Sequence, residues 1–99
     1  MANSFEIEHC YLDTFGDIID FKDQFPAGFR VISIEWTRPT LTGHTCLIRR
    51  EGPASPYLVE WECAIVGERR INFYEGRHYE NLYIDADAIQ SGKILIVGK

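Results

Sequence analysis

This sequence predicts an α+β fold rich in β structure: a strongly curved antiparallel sheet or small barrel of six or seven strands, with one N-terminal amphipathic helix packed on it. Three observations lead there. After residue 28, apolar and polar residues alternate along most of the chain, which is the period-two signature of half-buried strands. Between residues 13 and 25 the period shifts to helical spacing. The stretches between strands are short and rich in turn formers, which suits antiparallel neighbours. The chain has 99 residues, 45% hydrophobic and 13% aromatic, enough to fill one core, so residues 1–99 read as a single domain.

The elements follow in order. "SFEIEHCYL" alternates, with Phe5, Ile7, His9 and Tyr11 on one face and Glu6, Glu8 and Cys10 on the other. "DTFGDIIDFKDQF" spaces Phe15, Ile18, Phe21 and Phe25 as a helix does and turns Asp17, Asp20 and Asp23 outward. Asp13 or Thr14 can cap that helix, and "PAG" at 26–28 stops it. "FRVISIEWTR" puts Ile32, Ile34 and Trp36 on one face. "HTCLIRR" is the next strand, and "EGPASP" is a loop. "YLVEWECAIV" aligns Tyr57, Val59, Trp61, Cys63 and Ile65. A three-residue turn, Gly67 to Arg69, then sets Ile65 opposite Ile71 and Cys63 opposite Phe73 in a hairpin. "LYID" is a short strand, and "DADAIQSG" is one helical turn between Asp85 and Gly92. "KILIVG", residues 93–98, has four apolar residues in a row and reads as a strand covered on both sides. One cover is this domain; the other is a second copy, which would make a homodimer.

Charge and cysteine content narrow the function classes. The net charge is −5, and its surplus sits in residues 1–25, where six acids face one base. Such a segment suits a basic protein partner and repels phosphate backbones, so nucleic acid is not the expected partner. Arginine outnumbers lysine seven to three, a bias common at interfaces because guanidinium groups bond in a plane and stack on aromatics. Three cysteines, an odd number, fit a reducing compartment. No run of roughly 18 apolar residues calls for a membrane span, and no signal peptide opens the sequence. The expected location is the cytoplasm.

The densest cluster of chemistry is "GHTCLIRRE", residues 43–51. His44 and Cys46 point the same way in a strand, a two-ligand arm for zinc, but no CxxC or HxxxH pair supplies the other donors. Cys63 lies among apolar neighbours, where a free cysteine acts as a small hydrophobe. A thiol nucleophile needs a helix N-terminus or a histidine beside it, and all three cysteines read as mid-strand. Glu6 with Glu8, and Glu60 with Glu62, pair on polar faces, where a carboxyl keeps ordinary acidity. No glycine-rich phosphate loop is present. The stretch reads as a plain strand, with no catalytic residue, metal or cofactor expected.

The reading that remains is a non-enzymatic binding protein of the inhibitor, immunity or adaptor type, a class that phages and mobile elements often encode. It would act by surface complementarity on another macromolecule, with Asp17, Asp20 and Asp23 steering a basic protein and Arg49, Arg69, Arg77 and Tyr79 anchoring it. A second reading is a small-ligand or nucleotide pocket in the curved sheet, weakly hydrolytic, lined by Trp36, His44, Tyr57 and Trp61. A third is a structural homodimer joined through residues 93–98.

Overall fold

A computed structural model describes residues 3–6 and 8–98. The alternating pattern is realised as strands β1 (Ser4–Phe5), β2 (His9–Leu12), β3 (Ile19–Asp20), β4 (Phe29–Thr37), β5 (Thr45–Arg49), β6 (Tyr57–Glu62), β7 (Arg69–Tyr79), β8 (Tyr83–Ile84) and β9 (Lys93–Gly98). They form two antiparallel sheets, one of five strands in the order β1-β2-β9-β4-β7 and one of four in the order β3-β8-β5-β6. The sheets are not closed into a barrel. They share one core: Cys10, Leu12, Ile34, Trp36, Ile94 and Ile96 come from the larger sheet, and Ile19, Cys46, Ile48, Val59 and Ile84 from the smaller. Trp36 of β4 and Trp61 of β6 stack between the sheets, ring centroids 6.4 Å apart and planes 6° from parallel.

The amphipathic helix predicted for residues 13–25 does not form, so the fold is all-β rather than α+β. Among the described residues the only helical element is a single 3₁₀ turn, Phe21–Asp23, capped by Asp20. Phe15, Ile19 and Phe21 are buried while Ile18 is 56% exposed, which no helical stripe allows. Three features weigh against the helix. Gly16 costs about 1 kcal/mol relative to alanine, the Ile18–Ile19 pair is β-branched, and aspartates prefer caps to helix interiors. Pairing Ile19 with Ile84 and Asp20 with Tyr83 gives the backbone a ladder instead. No helix is long and apolar enough to cross a membrane.

Further corrections concern register. A β-bulge interrupts β4 between Val31 and Ser33. The extra residue changes parity, so Phe29 and Val31 before it and Ile34 and Trp36 after it all point inward, while Ile32 is only half-buried. The expected hairpin between β6 and β7 is absent, because the two strands belong to different sheets. Ile71 lies opposite Glu35 of β4, Phe73 lies opposite Ser33, and Ile65 is 70% exposed. In β2 it is Cys10 and Leu12 that turn inward, while His9 and Tyr11 face solvent; Ile7 lies outside the described residues. Residues 85–91 form turns and an isolated bridge, Cys46 to Ile89, rather than a helical turn.

β9 is a central strand, flanked by β2 and β4. Both of its edges are used within the chain, and exposed Lys93 with half-buried Leu95 and Val97 faces away from the core.

Candidate functional site

The three aspartates expected on a helix face are brought together without one. Asp17, Asp20 and Asp23 line a single cleft of about 230 Å³ on the β1/β3 side of the molecule, with Asn3, Phe5, Thr14, Ile18, Ile19 and Gln24. The upper wall is fixed by Asn3. Its Oδ1 accepts from the backbone N–H of Asp13 at 2.9 Å and of Thr14 at 3.0 Å, and its Nδ2 donates to the Thr14 carbonyl at 2.9 Å. Phe5, packed edge-on to Phe21 with centroids 5.5 Å apart, supplies an apolar wall together with Ile18 and Ile19.

The aspartates are not equivalent. Asp20 Oδ1 accepts from the Lys22 N–H at 3.1 Å and from Asn81 Nδ2 at 2.7 Å, so its carboxylate holds the 3₁₀ turn in place. Asn81 completes that knot, accepting from the same Lys22 N–H and donating to the Glu51 carbonyl. Asp17 and Asp23 are exposed and make no ion pair among the described residues. The cleft therefore presents two uncommitted carboxylates beside an exposed isoleucine. Two other hollows, of 380 and 270 Å³, share Lys22 and Glu80 and so mix both signs of charge. No group of three or more His, Cys, Asp or Glu side chains among the described residues is arranged to hold a metal ion.

The expected anchors are dispersed. Arg49 is an internal hub: Nε donates to Asp85 at 2.7 Å, one terminal nitrogen to the Ser55 carbonyl at 2.8 Å and the other to the Tyr57 hydroxyl at 3.0 Å, with the guanidinium 4.4 Å from the Tyr57 ring centroid. Its hydrogen bond to Asp85 raises its pKa further. Arg69 pairs with Glu35 across the ladder. Arg77 is exposed and sits 5.8 Å from the Tyr79 ring, but Tyr79 itself is buried, 6% exposed, and packs edge-on against Tyr74.

The alternative pocket residues split in two. Trp36, fully buried, donates through Nε1 to the Ser91 carbonyl at 2.8 Å, and His44 Nδ1 lies 2.8 Å from Ser91 Oγ. Trp61 stacks on Trp36. Tyr57 sits beyond a bulge between Ile48 and Arg49, which turns it to the Arg49 side. Trp36 and Trp61 thus pack on each other, His44 reaches Ser91 beside them, and Tyr57 lies with Arg49.

The thiols are interior groups. Burial pushes Cys10 up from 9.0 to about 11 and raises Cys46 more strongly. Burial and the nearby Glu68 carboxylate raise Cys63, whose S–H donates to the Ile65 carbonyl. "GHTCLIRRE" accordingly contains strand β5, with Cys46 and Ile48 in the core.

Sequence reasoning missed the cleft's apolar half, Phe5 and Ile18. The signal was the doublet "DIID": of two adjacent isoleucines in an extended segment, one must face outward. No family model matches the chain, and no curated protein or solved structure matches it.

Proposed function

We propose that this chain is a non-enzymatic binding protein that docks on a protein partner with a basic surface. The observation that carries the reading is the single-sign cleft, in which Asp17 and Asp23, free of intramolecular cations among the described residues, flank exposed Ile18. Such a cleft suits a lysine or arginine with an apolar neighbour. The carboxylates speed encounter by long-range attraction, and the apolar wall contributes the contact that slows release. The burial of all three thiols speaks against a cysteine nucleophile, since a thiol held neutral and out of solvent is a poor one.

Asp17→Lys with Asp23→Lys tests the idea, leaving Asp20 intact because its carboxylate positions the 3₁₀ turn. Proteins captured by the wild-type chain and lost with the double variant are the candidate partners. For each, the association rate at low salt is expected to fall roughly tenfold or more, and its salt dependence to flatten, with little change in dissociation. Equal capture by both forms, or an unchanged association rate, rejects the cleft as the docking surface.

A further inference from the structure

Every open sheet has edges whose backbone groups lack partners, and folded proteins usually guard them with charge, bulges or brevity. Four strands lie at edges here: β1, β7, β3 and β6. β1 and β3 have two residues each, too few to template a neighbour. β6 carries Glu60 and Glu62, both exposed and unpaired by any cation among the described residues. The second half of β7 is guarded as well. Glu75 and Gly76 adopt positive φ (56° and 79°) where the β4–β7 register jumps, and exposed Arg77 and His78 follow.

The first half of β7, Arg69–Phe73, has no such protection. Its ladder with β4 is regular, from Thr37 opposite Arg69 to Ser33 opposite Phe73, and β7 pairs with no other strand among the described residues. Its two charges are cancelled within the chain, Arg69 by Glu35 and Arg70 by Glu68 at 3.3 Å. Ile71 is half-buried, and Phe73, on the same face, is 70% exposed. The segment is therefore regularly paired on its inner edge, has both charges matched within the chain, and is apolar on one side.

We propose that residues 69–73 pair antiparallel with the same segment of a second copy, about a two-fold axis at Ile71, joining two five-stranded sheets into one. Self-complementary register selects a second copy as the occupant. With Ile71 on the axis, Arg69 of each copy faces Phe73 of the other, and Arg70 faces Asn72. Each guanidinium meets an aromatic ring or a neutral amide, and no like charges are opposed. An axis one residue earlier sets Arg70 against Arg70. An axis one residue later carries the ladder into the Glu75–Gly76 bulge. β1 and β7 are the outermost strands of the sheet, so the acidic cleft on the β1 side stays open in the dimer. This association does not depend on the function proposed for that cleft.

Light scattering on the full chain, over a wide concentration range, reads the mass per particle. The expected result is a concentration-dependent shift from one chain to two, with backbone amide exchange over residues 69–73 slowing in step. Phe73→Lys replaces an exposed ring and opposes a lysine to Arg69 of the other copy. It should weaken association roughly tenfold or more, since two symmetric favourable pairs become like-charge pairs. Tyr11→Lys lies on the same outer face but on β2, so it would disrupt stacking of sheet faces and leave edge pairing intact. A chain that stays monomeric throughout overturns the proposal, as does a dimer that Phe73→Lys leaves unchanged or that Tyr11→Lys weakens equally. Should Phe73→Lys fail to fold, the concentration dependence of exchange at residues 69–73 in the unaltered chain decides alone.

Discussion

The chemistry of individual side chains is set by how the two sheets enclose them. Cys10 and Cys46 are fully buried and Cys63 nearly so. Desolvation disfavours the thiolate, and for Cys10 it outweighs the lowering effect of a backbone hydrogen bond at Glu6. All three thiols should resist alkylation in the folded chain near pH 8 and react at once in denaturant; rapid labelling of the native chain would place a thiol outside the core. The pH dependence has a definite sign. Between the ordinary value of 9.0 and about 11, an unfolded chain has released the Cys10 proton while the folded chain keeps it. Stability therefore falls as pH rises through that window, and Cys10 adds no pH dependence below it. Urea midpoints measured across the window check this. Burial at this scale was legible for Trp36, Val59 and Cys63, whereas the alternation over residues 44–50 left open which face turns inward, and it is Cys46 and Ile48 that do. The fate of Arg49 was not legible, because its partners Ser55, Tyr57 and Asp85 reach it only through the fold.

At the scale of elements, special backbone positions decide where strands may turn. Gly92 has a φ of 85°, and a Cβ there would lie 2.6 Å from the Thr37 carbonyl oxygen and 2.7 Å from Trp36 Nε1. Nε1 is the atom that donates to the neighbouring Ser91 carbonyl. Gly92→Ala combines a left-handed backbone with a clash on a buried indole, so it should destabilise by about 2 kcal/mol or more. Urea denaturation measures that loss, and a tryptophan fluorescence change shows whether the Trp36 environment moves with it. Gly16→Ala, with nothing within 4 Å of its added Cβ, is the matched control. Strand existence was readable from alternation because a half-buried strand needs that pattern wherever it sits. Two things were not readable. Residues 13–25 have a helical apolar spacing that pairing of β3 with β8 overrides. The sheet to which β7 belongs depends on β4, more than thirty residues away in sequence, rather than on the adjacent β6. The cleft shares both limits: its acids were visible, but their convergence depends on Asn3, Asn81 and the short β3.

For the molecule as a whole, the larger sheet depends on its last strand. β9 joins β2 to β4 and contributes Ile94 and Ile96, both fully buried. Losing one such isoleucine to alanine typically costs 2–5 kcal/mol, against a total stability of roughly 5–15 kcal/mol for a domain. A chain ending at Gly92 loses both together with two ladders, and it should show no cooperative thermal transition and no near-ultraviolet circular dichroism. A truncated chain that still melts sharply would mean that the smaller sheet folds by itself. The placement of β9 also bears on biosynthesis. While a ribosome is still translating, β2 and β4 have emerged with Leu12, Ile34 and Trp36 uncovered and nothing to zip them together. Those apolar faces stay unjoined until residues 93–98 clear the exit tunnel, so greasy surface is exposed for most of the time this stretch takes to synthesise.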